Sequence, residues 1–307
     1  MAITFLSLHI TCRFLTTAIL PSFKGSTLRG SFGHALKSVV CTLRNQQCNE
    51  CLLNSTCAYS LIFATEKIKD DMVSARPHPY ILTPPMSEKR LYNKGDTFSF
   101  GLTLLGSATT FLPHIIYCLE EMGRQGLGKK TAQQEGRFTI VTVSTGETVI
   151  YREDKKELLP ARHEQVEVND HNESVSTLLI QLRTPLRLKD RNTFVRRLTF
   201  LHLVRAALRR IRILEISYGD TDIFFDYKRL CSNAEEIALV SDNTHWKDYQ
   251  RYSNRQKHRM LLGGVMGSLI FKGDMGVYLP FFRYIEKVRL GKQTAFGLGR
   301  ISFEVIT

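Results

Sequence analysis

The sequence predicts an α+β protein built from two tandem ferredoxin-like domains, each with the element order βαββαβ. The chain has 307 residues and 43% apolar content, which is enough to bury two modest cores. A helix, a turn of glycine and lysine and then a strand occur in succession at 111–144, and the same succession occurs at 279–306. This repeat indicates two copies of one plan. We expect domains at 1–172 and 173–307, because the stretch 152–175 is highly charged and resembles a linker.

The first domain is expected to begin with a strand and an amphipathic helix. Residues 3–14 are rich in Ile, Phe and Leu, as in a buried strand. Residues 27–44 place apolar side chains at spacings of three and four, which predicts a helix with one buried stripe. The stripe consists of Leu28, Phe32, Leu36, Val39 and Leu43. Strands at 95–106 and 136–144, with a helix at 111–123, continue the domain.

The second domain is expected to follow the same order. Residues 176–188 form its first strand, and residues 194–214 form a helix. The helix buries a stripe of Leu201, Val204, Leu208 and Ile211. We expect a strand pair within 260–271, bent at Gly263, Gly264 and Gly267, and a closing strand at 301–306.

Composition limits the classes of function. The net charge of +13 favours a polyanionic partner, nucleic acid first and an anionic membrane second. The sequence contains no run of eighteen apolar residues, so we expect no transmembrane helix. The first ten residues lack a basic segment and are typical of a strand, not of a signal peptide. We therefore expect a cytoplasmic protein that does not act at a membrane.

A cluster of cysteines follows the first predicted helix. Four of the seven cysteines lie close together in the sequence, at Cys41, Cys48, Cys51 and Cys57. Four thiolates at such short separations predict a structural zinc ion or iron–sulfur cluster, and four buried free thiols are the alternative. Four cysteines leave no open coordination position, so a metal here would be structural and not catalytic.

His34 lies on the predicted first helix, roughly opposite its apolar stripe. Lys37 follows one turn later, near enough to share a ligand. Such a histidine is either an ordinary solvated side chain or a group that meets a ligand.

Three further stretches combine cations with features that bind nucleic acid. The helix at 194–214 carries a stripe of His202, Arg205, Arg209 and Arg212 that is either a solvated face or a phosphate-binding face. The segment 246–259 interleaves aromatic and basic residues, among them Tyr252 and Arg255. Such a segment either binds single-stranded or hairpin RNA or belongs to a strand pair whose aromatic side chains face the core. Near the end of the chain, Gly291, Gly297 and Gly299 lie close to Lys292 and Arg300, a combination suited to phosphates.

Two blocks of sequence resemble the RAMP-superfamily CRISPR endoribonucleases, which cut precursor CRISPR RNA into single guides. The first block is Leu28-Arg-Gly-Ser-Phe-Gly-His-Ala-Leu, followed by the four cysteines. The second runs from Trp246 through Met260-Leu-Leu-Gly-Gly-Val-Met-Gly and Leu279-Pro-Phe-Phe-Arg to Gly291-Lys-Gln-Thr-Ala-Phe-Gly-Leu-Gly-Arg300. The middle of the chain, about 65 to 175, matches only in pattern.

The resemblance implies metal-independent cleavage, in which a 2′-hydroxyl attacks the adjacent phosphorus and leaves a 2′,3′-cyclic phosphate and a 5′-hydroxyl. His34 is then the first candidate for proton transfer, Lys37 is its cationic helper, and catalysis needs no cofactor. Related sequences often carry a histidine two residues before the final Gly-Lys, where this chain has Arg289. The predicted RNA-binding residues are Arg29, His202, Arg205, Arg209, Arg212, Tyr252, Arg255, Arg289, Gly291, Lys292, Gly297, Gly299 and Arg300.

The expected partner is CRISPR repeat RNA, with other subunits of a CRISPR effector complex as further candidates. Two alternative functions remain open at this point. The chain could be a non-catalytic RAMP subunit that stays on the guide RNA, or an iron–sulfur redox-sensing protein, which the four cysteines alone suggest.

Overall fold

The structure is a computed structural model that describes residues 2–43, 46–67, 76–129, 131, 135–168, 173–219, 225–253 and 258–306. For residues 67, 251–253 and 258–259 it describes the backbone only. The chain divides into two compact units. The N-terminal unit is Thr4–Gln165, and the C-terminal unit is Val166–Thr307 together with Met1–Ile3. The predicted boundary at 172 lies outside the described residues.

The N-terminal half contains eight strands and three α-helices among its described residues. In chain order they are β1 (Ala2–Phe14), β2 (Ala18–Ile19), α1 (Gly25–Val40), α2 (Ala58–Ile62), β3 (Tyr80–Thr83), β4 (Leu91–Tyr92), β5 (Thr97–Leu105), α3 (Leu112–Gln125), β6 (Phe138–Thr145), β7 (Thr148–Arg152) and β8 (Glu164–Glu167). Short 3₁₀ turns occur at Cys48–Glu50, Thr65–Lys67 and Gly106–Phe111.

The C-terminal half contains six strands and three α-helices in the part of the chain that the structure describes. They are β9 (Thr177–Leu186), β10 (Lys189–Asp190), β11 (Thr193–Phe194), α4 (Phe200–Tyr218), α5 (Tyr227–Glu235), β12 (Ala238–Ser253), β13 (His258–Lys272), α6 (Leu279–Val288) and β14 (Ile301–Val305). The 3₁₀ turns are Gly276–Tyr278 and Thr294–Phe296. None of the described helices is both long enough and apolar enough to cross a bilayer.

The strand order identifies both sheets as ferredoxin-like. In the first sheet the order is β3-β5-β1-β6-β7, with β8 also paired to β1, and in the second it is β12-β13-β9-β14. The four main strands of each sheet therefore stand in the order 2-3-1-4, and their described pairings are antiparallel. In the first domain, α1 and α3 connect the strands of the two βαβ units, and in the second domain α4 and α6 do the same. The predicted fold class is confirmed.

The first sheet and its helices share one apolar core. Strand β1 buries alternate side chains, and the helix stripe at Leu28, Phe32 and Leu36 is at most 1% exposed. Helix α3 lies against α1, where the Cys118 thiol donates to the Phe32 carbonyl oxygen at 3.6 Å. This packing leaves the opposite face of α1 to solvent.

The second core is centred on aromatic side chains. The ring of Phe200, in the first turn of α4, has its centroid 5.2 Å from that of Phe271, 5.0 Å from that of Tyr278 and 5.7 Å from that of Phe282. These contacts join α4 to β13 and to α6, and they orient the outer face of α4.

The expected strand pair within 260–271 is wrong, because these residues belong to one strand, β13, which pairs with β12 along its whole length. The glycines allow close approach between strands and do not make turns. A Cβ on Gly264 would lie 2.7 Å from the Leu186 carbonyl oxygen. Gly267 has φ +119° at an irregularity in the pairing with β9, a conformation that favours glycine.

Candidate nucleic-acid interface

The outer face of α4 carries three exposed arginines, Arg205, Arg209 and Arg212. The helix turns them outward because Val204, Leu208 and Ile211 fill the core. Arg205 has a distant ionic contact, with its Nη2 3.9 Å from Glu235 Oε1, and both side chains are well exposed. Within the described part of the chain, no ion pair involves Arg209 or Arg212. Their charges are therefore available to a polyanion.

His202 has a structural contact at the start of the same helix. Its Nδ1 accepts a hydrogen bond from the Thr199 backbone N–H at 3.1 Å, and its own backbone N–H donates to Thr199 Oγ1 at 3.3 Å. These two bonds form a capping box. Burial lowers the pKa of His202, Arg205 lowers it further, and Asp190 opposes both effects. The imidazole is therefore held neutral as a helix cap.

The inner face of α4 carries a buried cation, Arg210, which is 9% exposed. Its Nη2 donates to the Val288 carbonyl oxygen at 3.1 Å and to Thr294 Oγ1 at 3.3 Å. Burial lowers the pKa of Arg210 to about 10, so the guanidinium stays charged at neutral pH. Arg210 thus connects the cationic helix to the end of α6 and to the glycine-rich loop.

A second buried bond joins the same two helices. The Tyr284 hydroxyl, on α6, donates to Glu215 Oε1 at 2.8 Å, and Glu215 is 1% exposed. Burial raises the pKa of Tyr284, and the Glu215 carboxylate raises it further. The arrangement fixes α4 against α6 from the inside.

The glycines of the 291–300 loop allow the loop to fold on itself. Gly291, Gly297 and Gly299 have φ values of 79°, 91° and 75°. The backbone N–H of Gly297 donates to the Thr294 carbonyl, and that of Gly299 donates to the Pro185 carbonyl. The loop geometry therefore occupies these amides within the protein, so they do not form a phosphate cradle.

The cationic side chains beside the loop point outward. Lys292 and Arg300 are both exposed, and the Arg300 backbone N–H donates to Thr184 Oγ1 at 2.8 Å. Both cationic side chains can therefore reach a phosphate at this loop.

Arg289 lies inside the protein. It is 7% exposed and has φ 64° at the C-terminal end of α6. Burial, together with the charge of the nearby Arg300, lowers its pKa to about 9. A side chain in this position has little surface to offer RNA, and it does not present the exposed group that the predicted RNA contact requires.

Aromatic and cationic side chains also meet where β12 approaches the β10–β11 hairpin. The Arg196 guanidinium lies 4.8 Å from the ring centroid of Trp246, and that of Arg187 lies 4.2 Å from the ring centroid of Phe194. Trp246 is only partly buried, and its Nε1 donates to Asp248 Oδ1 at 3.0 Å. The sequence pattern did not identify Phe194, Arg187 or Arg196, because they lie on other elements.

Two predicted RNA-binding residues of the segment 246–259, Tyr252 and Arg255, are not described with their side chains. Arg255 lies outside the described residues. For Tyr252 the structure describes the backbone in β12, paired with Arg259, but not the side chain.

Helix α1 places Arg29 on a different side from His34. His34 is exposed, as expected for the face opposite the apolar stripe. The Lys37 Nζ lies 5.8 Å from the ring centroid of Tyr59, and the Arg29 guanidinium lies 4.4 Å from that of Phe63. At about 100° per residue, Arg29 and His34 are roughly 140° apart around the helix. Lys37 lies only about 60° from His34 around the helix. Arg29 therefore packs against Phe63, the residue that follows α2, and Lys37 lies near Tyr59 of α2, while His34 faces solvent.

A histidine that the sequence pattern did not identify lies beside Arg29. The Nε2 of His78 is 3.1 Å from Arg29 Nη2, and its Nδ1 is 3.1 Å from Thr65 Oγ1. His78 precedes β3 and is 49 residues from Arg29 in sequence, so no local spacing could have revealed the pair.

The four clustered cysteines, Cys41, Cys48, Cys51 and Cys57, are all free and partly exposed. Across the described residues, no three His, Cys, Asp or Glu side chains are grouped closely enough to hold a metal ion. The structure therefore does not support the predicted zinc ion or iron–sulfur cluster, nor the alternative of four buried thiols. The short spacing made a cluster feasible, but the 3₁₀ turn at Cys48–Glu50 and the start of α2 separate the thiols along the chain.

Comparison with known proteins identifies the two halves separately. Residues 3–164 match a family model described as an N-terminal domain. Residues 180–301 match a model described as CRISPR-associated endoribonuclease Cas6. An uncharacterized protein of Archaeoglobus fulgidus is 25% identical over 213 residues, which is 66% of this chain and 67% of that protein.

Solved structures resemble the whole chain. A partial Cas6-RT-Cas1–Cas2 complex has a TM-score of 0.59 at 12% identity over 99% of this chain, which spans only 46% of that longer chain. A Cas6 from Thermus thermophilus has a TM-score of 0.56 at 11% identity, covering 98% of this chain and 99% of its own. At such low identity these likenesses establish the tandem ferredoxin-like fold.

Proposed function

We propose that this chain binds CRISPR repeat RNA and cuts precursor CRISPR RNA into guide units. The chain belongs to the Cas6 family of CRISPR-associated endoribonucleases. Its residues 3–164 belong to the N-terminal-domain family whose model they match. The observation that carries the proposal is the match of 180–301 to the endoribonuclease model. The same unit exposes Arg205, Arg209 and Arg212 on one helix face, a surface suited to RNA phosphates.

The proposed reaction needs no metal or cofactor. The 2′-hydroxyl of a repeat nucleotide loses its proton and attacks the adjacent phosphorus. The bond to the 5′-oxygen breaks as that oxygen gains a proton, leaving a 2′,3′-cyclic phosphate and a 5′-hydroxyl. In this proposal His34 transfers protons, and Lys37 stabilises the extra negative charge on the pentacoordinate phosphate. Its exposed position on α1 supports the assignment of His34.

RNA binding in the proposal relies on exposed cations. Arg205, Arg209, Arg212, Lys292 and Arg300 are the candidates for phosphate contacts, because all five side chains are exposed. The glycines beside them shape the loop, and His202 caps α4. The binding energy is therefore expected to be strongly dependent on salt.

The partner and location follow from the same proposal. The partner is precursor CRISPR RNA, other CRISPR proteins are further candidate partners, and the site of action is the cytoplasm. The structural relative that contains Cas1 and Cas2 supports the search for such protein partners, although this chain spans less than half of its length.

A repeat-RNA cleavage assay in EDTA tests the function. We expect cleavage that continues in EDTA and is abolished by a 2′-deoxy substitution at the cut site, while binding of the substituted RNA is retained. Cleavage that stops in EDTA would contradict the metal-independent route. A parent protein that binds repeat RNA but never cuts it would leave only RNA binding, and Arg289, at the place where relatives often have a histidine, would be the first residue to replace.

A single-turnover assay of His34→Ala tests the assignment of the proton-transfer residue. The loss of a general acid or base typically lowers the rate by about a hundred- to ten-thousandfold, so we expect a loss in this range with RNA affinity unchanged. His114→Ala is the matched control, because His114 is another exposed histidine on a helix of the same unit. Cleavage by His34→Ala at the parental rate would exclude His34. The reserve candidates for proton transfer, His202 on α4, His245 on β12 and His258 at the start of β13, would be tested next.

A further inference from the structure

We propose that His78 is a positioning residue, which holds the guanidinium of Arg29 in place for contact with an RNA phosphate. The proposal rests on the proposed function, because it assumes that RNA binds this protein. It adds a residue from outside α1 to the surface that begins with Arg29 and Lys37.

The hydrogen bonds around His78 have only one consistent set of directions. Arginine only donates, so His78 Nε2 must accept from Arg29 Nη2 across 3.1 Å. The ring is then neutral with its hydrogen on Nδ1, which donates to Thr65 Oγ1 across 3.1 Å. Thr65 in turn donates from Oγ1 to the Arg76 carbonyl oxygen at 3.1 Å. The chain of bonds therefore selects the tautomer that Arg29 needs.

Aromatic rings hold the same two side chains. The Arg29 guanidinium lies 4.4 Å from the ring centroid of Phe63, and the imidazole of His78 stacks on that ring with centroids 6.2 Å apart. Tyr80 packs against both rings, with its centroid 5.5 Å from that of His78 and 6.1 Å from that of Phe63. Helix α1 contacts Phe63 closely, since a Cβ on Gly33 would lie 2.2 Å from the ring. Arg29 is thus preorganised, and little conformational entropy remains to be lost on binding.

The surroundings favour an anion. The charged and titratable groups near His78, among the residues that the structure describes, are Arg29 on α1, Arg76 in the preceding segment, Glu66 in the 3₁₀ turn, Tyr59 on α2 and Tyr80 on β3. Burial raises the pKa of both tyrosines, so they are neutral at physiological pH. Lys37, beside Tyr59, adds a further cation. Among the described residues near His78, the cations outnumber the acid Glu66, and both Arg29 and Lys37 are partly exposed.

Protonation of His78 would remove the arrangement. A charged imidazole carries a hydrogen on Nε2 and cannot accept from Arg29, and two cations would then face each other across 3.1 Å. The Arg29 guanidinium would lose its position, and the phosphate contact would weaken as the pH falls.

The test compares His78→Asn with His78→Gln in the full chain, measuring affinity for repeat RNA, its salt dependence and thermal stability. The oxygen of glutamine can occupy the position of Nε2 and accept from Arg29, whereas the shorter asparagine reaches only the Nδ1 position. We expect the asparagine variant to bind severalfold more weakly and to lose about one unit of salt slope. The glutamine variant should bind like the parent at neutral pH.

A double-mutant cycle with Arg29→Ala separates positioning from a general structural role. If His78 acts through Arg29, His78→Asn has no further effect on affinity when Arg29 is already alanine. An equal loss in both backgrounds, or parental affinity in His78→Asn, would overturn the proposal while leaving the proposed function intact. If the parent protein binds no repeat RNA, the proposed function and the positioning role of His78 are both overturned.

A pH series decides the question if His78→Asn fails to fold. The affinity of the parent should fall severalfold more than that of His78→Gln when the pH is lowered, because glutamine does not titrate. An equal fall in both proteins would overturn the proposal.

Discussion

Replacement of Arg209 tests whether the outer face of α4 binds phosphate. Arg209 is exposed, and within the described residues it has no ion pair, while its neighbour Arg205 lies 3.9 Å from Glu235. Removing its charge therefore removes an exposed cation and breaks no ion pair among the described residues. Arg209→Lys keeps the charge as a compact ammonium group and serves as the matched variant.

The magnitude follows from counterion release. Each phosphate contact contributes about 0.7 to 0.9 to the slope of log affinity against log salt. Over a fourfold change in salt, one contact is therefore worth roughly threefold in affinity. Arg209→Ala should lower the slope by this amount. Replacing Arg205, Arg209 and Arg212 together should lower it by about two to three units, with the smallest share from Arg205, because Glu235 already offsets part of its charge.

The assay is a titration of labelled repeat RNA at three salt concentrations between about 50 and 200 mM. Arg124→Ala is the control, because Arg124 is an exposed helical arginine whose Nε already bonds to Glu121 Oε2 at 2.8 Å. We expect parental slopes from Arg124→Ala and Arg209→Lys. A parental slope from Arg209→Ala, or an equal loss from Arg209→Lys, would remove this face from the RNA-binding surface.

Two further predictions concern stability. Gly299→Ala should lower the free energy of unfolding in urea by at least about 2 kcal/mol, because φ is 75° and the new Cβ would lie 1.8 Å from the Leu290 carbonyl oxygen. Gly30→Ala, where a Cβ would have no neighbour within 4 Å, should be neutral or stabilising, and equal losses in both variants would contradict the argument. The folded-state pKa of Tyr284 is raised, so its contribution to stability is complete below about pH 10 and is lost as the pH rises further. Tyr284→Phe should therefore reduce the alkaline loss of stability measured by denaturant unfolding, and an unchanged alkaline slope would exclude Tyr284 as its source.

Local patterns predicted the elements that have one apolar face. The predicted stripe of α1 is buried at Leu28, Phe32 and Leu36. Val39 is only partly buried, and Leu43 lies beyond the end of the helix and is exposed. The same reasoning identified α4 and placed Arg209 and Arg212 on its exposed side. Such predictions succeed because burial of one helix face is encoded within a few turns of sequence.

Contacts between distant segments were not predictable. The glycines of β13 resembled turn residues, although Gly264 is required because Leu186 of the neighbouring strand approaches closely. His78 meets Arg29 only because the chain between α1 and β3 brings them together. The short spacing of Cys48 and Cys51 is compatible with a metal site, but spacing alone does not determine whether the thiols converge.

The long pairing of β12 with β13 determines how this protein could lose activity without losing its global stability. Strand β9 reaches only as far as Val265, and Leu262 is the last buried side chain in that direction among the described residues of β13, so the pairs from Arg251↔Met260 to Ser253↔His258 extend beyond the packed sheet as a two-stranded ribbon. A ribbon of two strands is only marginally stable by itself, so its amide hydrogens should exchange through local opening that leaves the rest of the fold intact. Damage confined to this ribbon would consequently not change the melting temperature. Variants that lose activity there would pass a screen for thermal stability and be detected only by hydrogen exchange or by an assay with RNA.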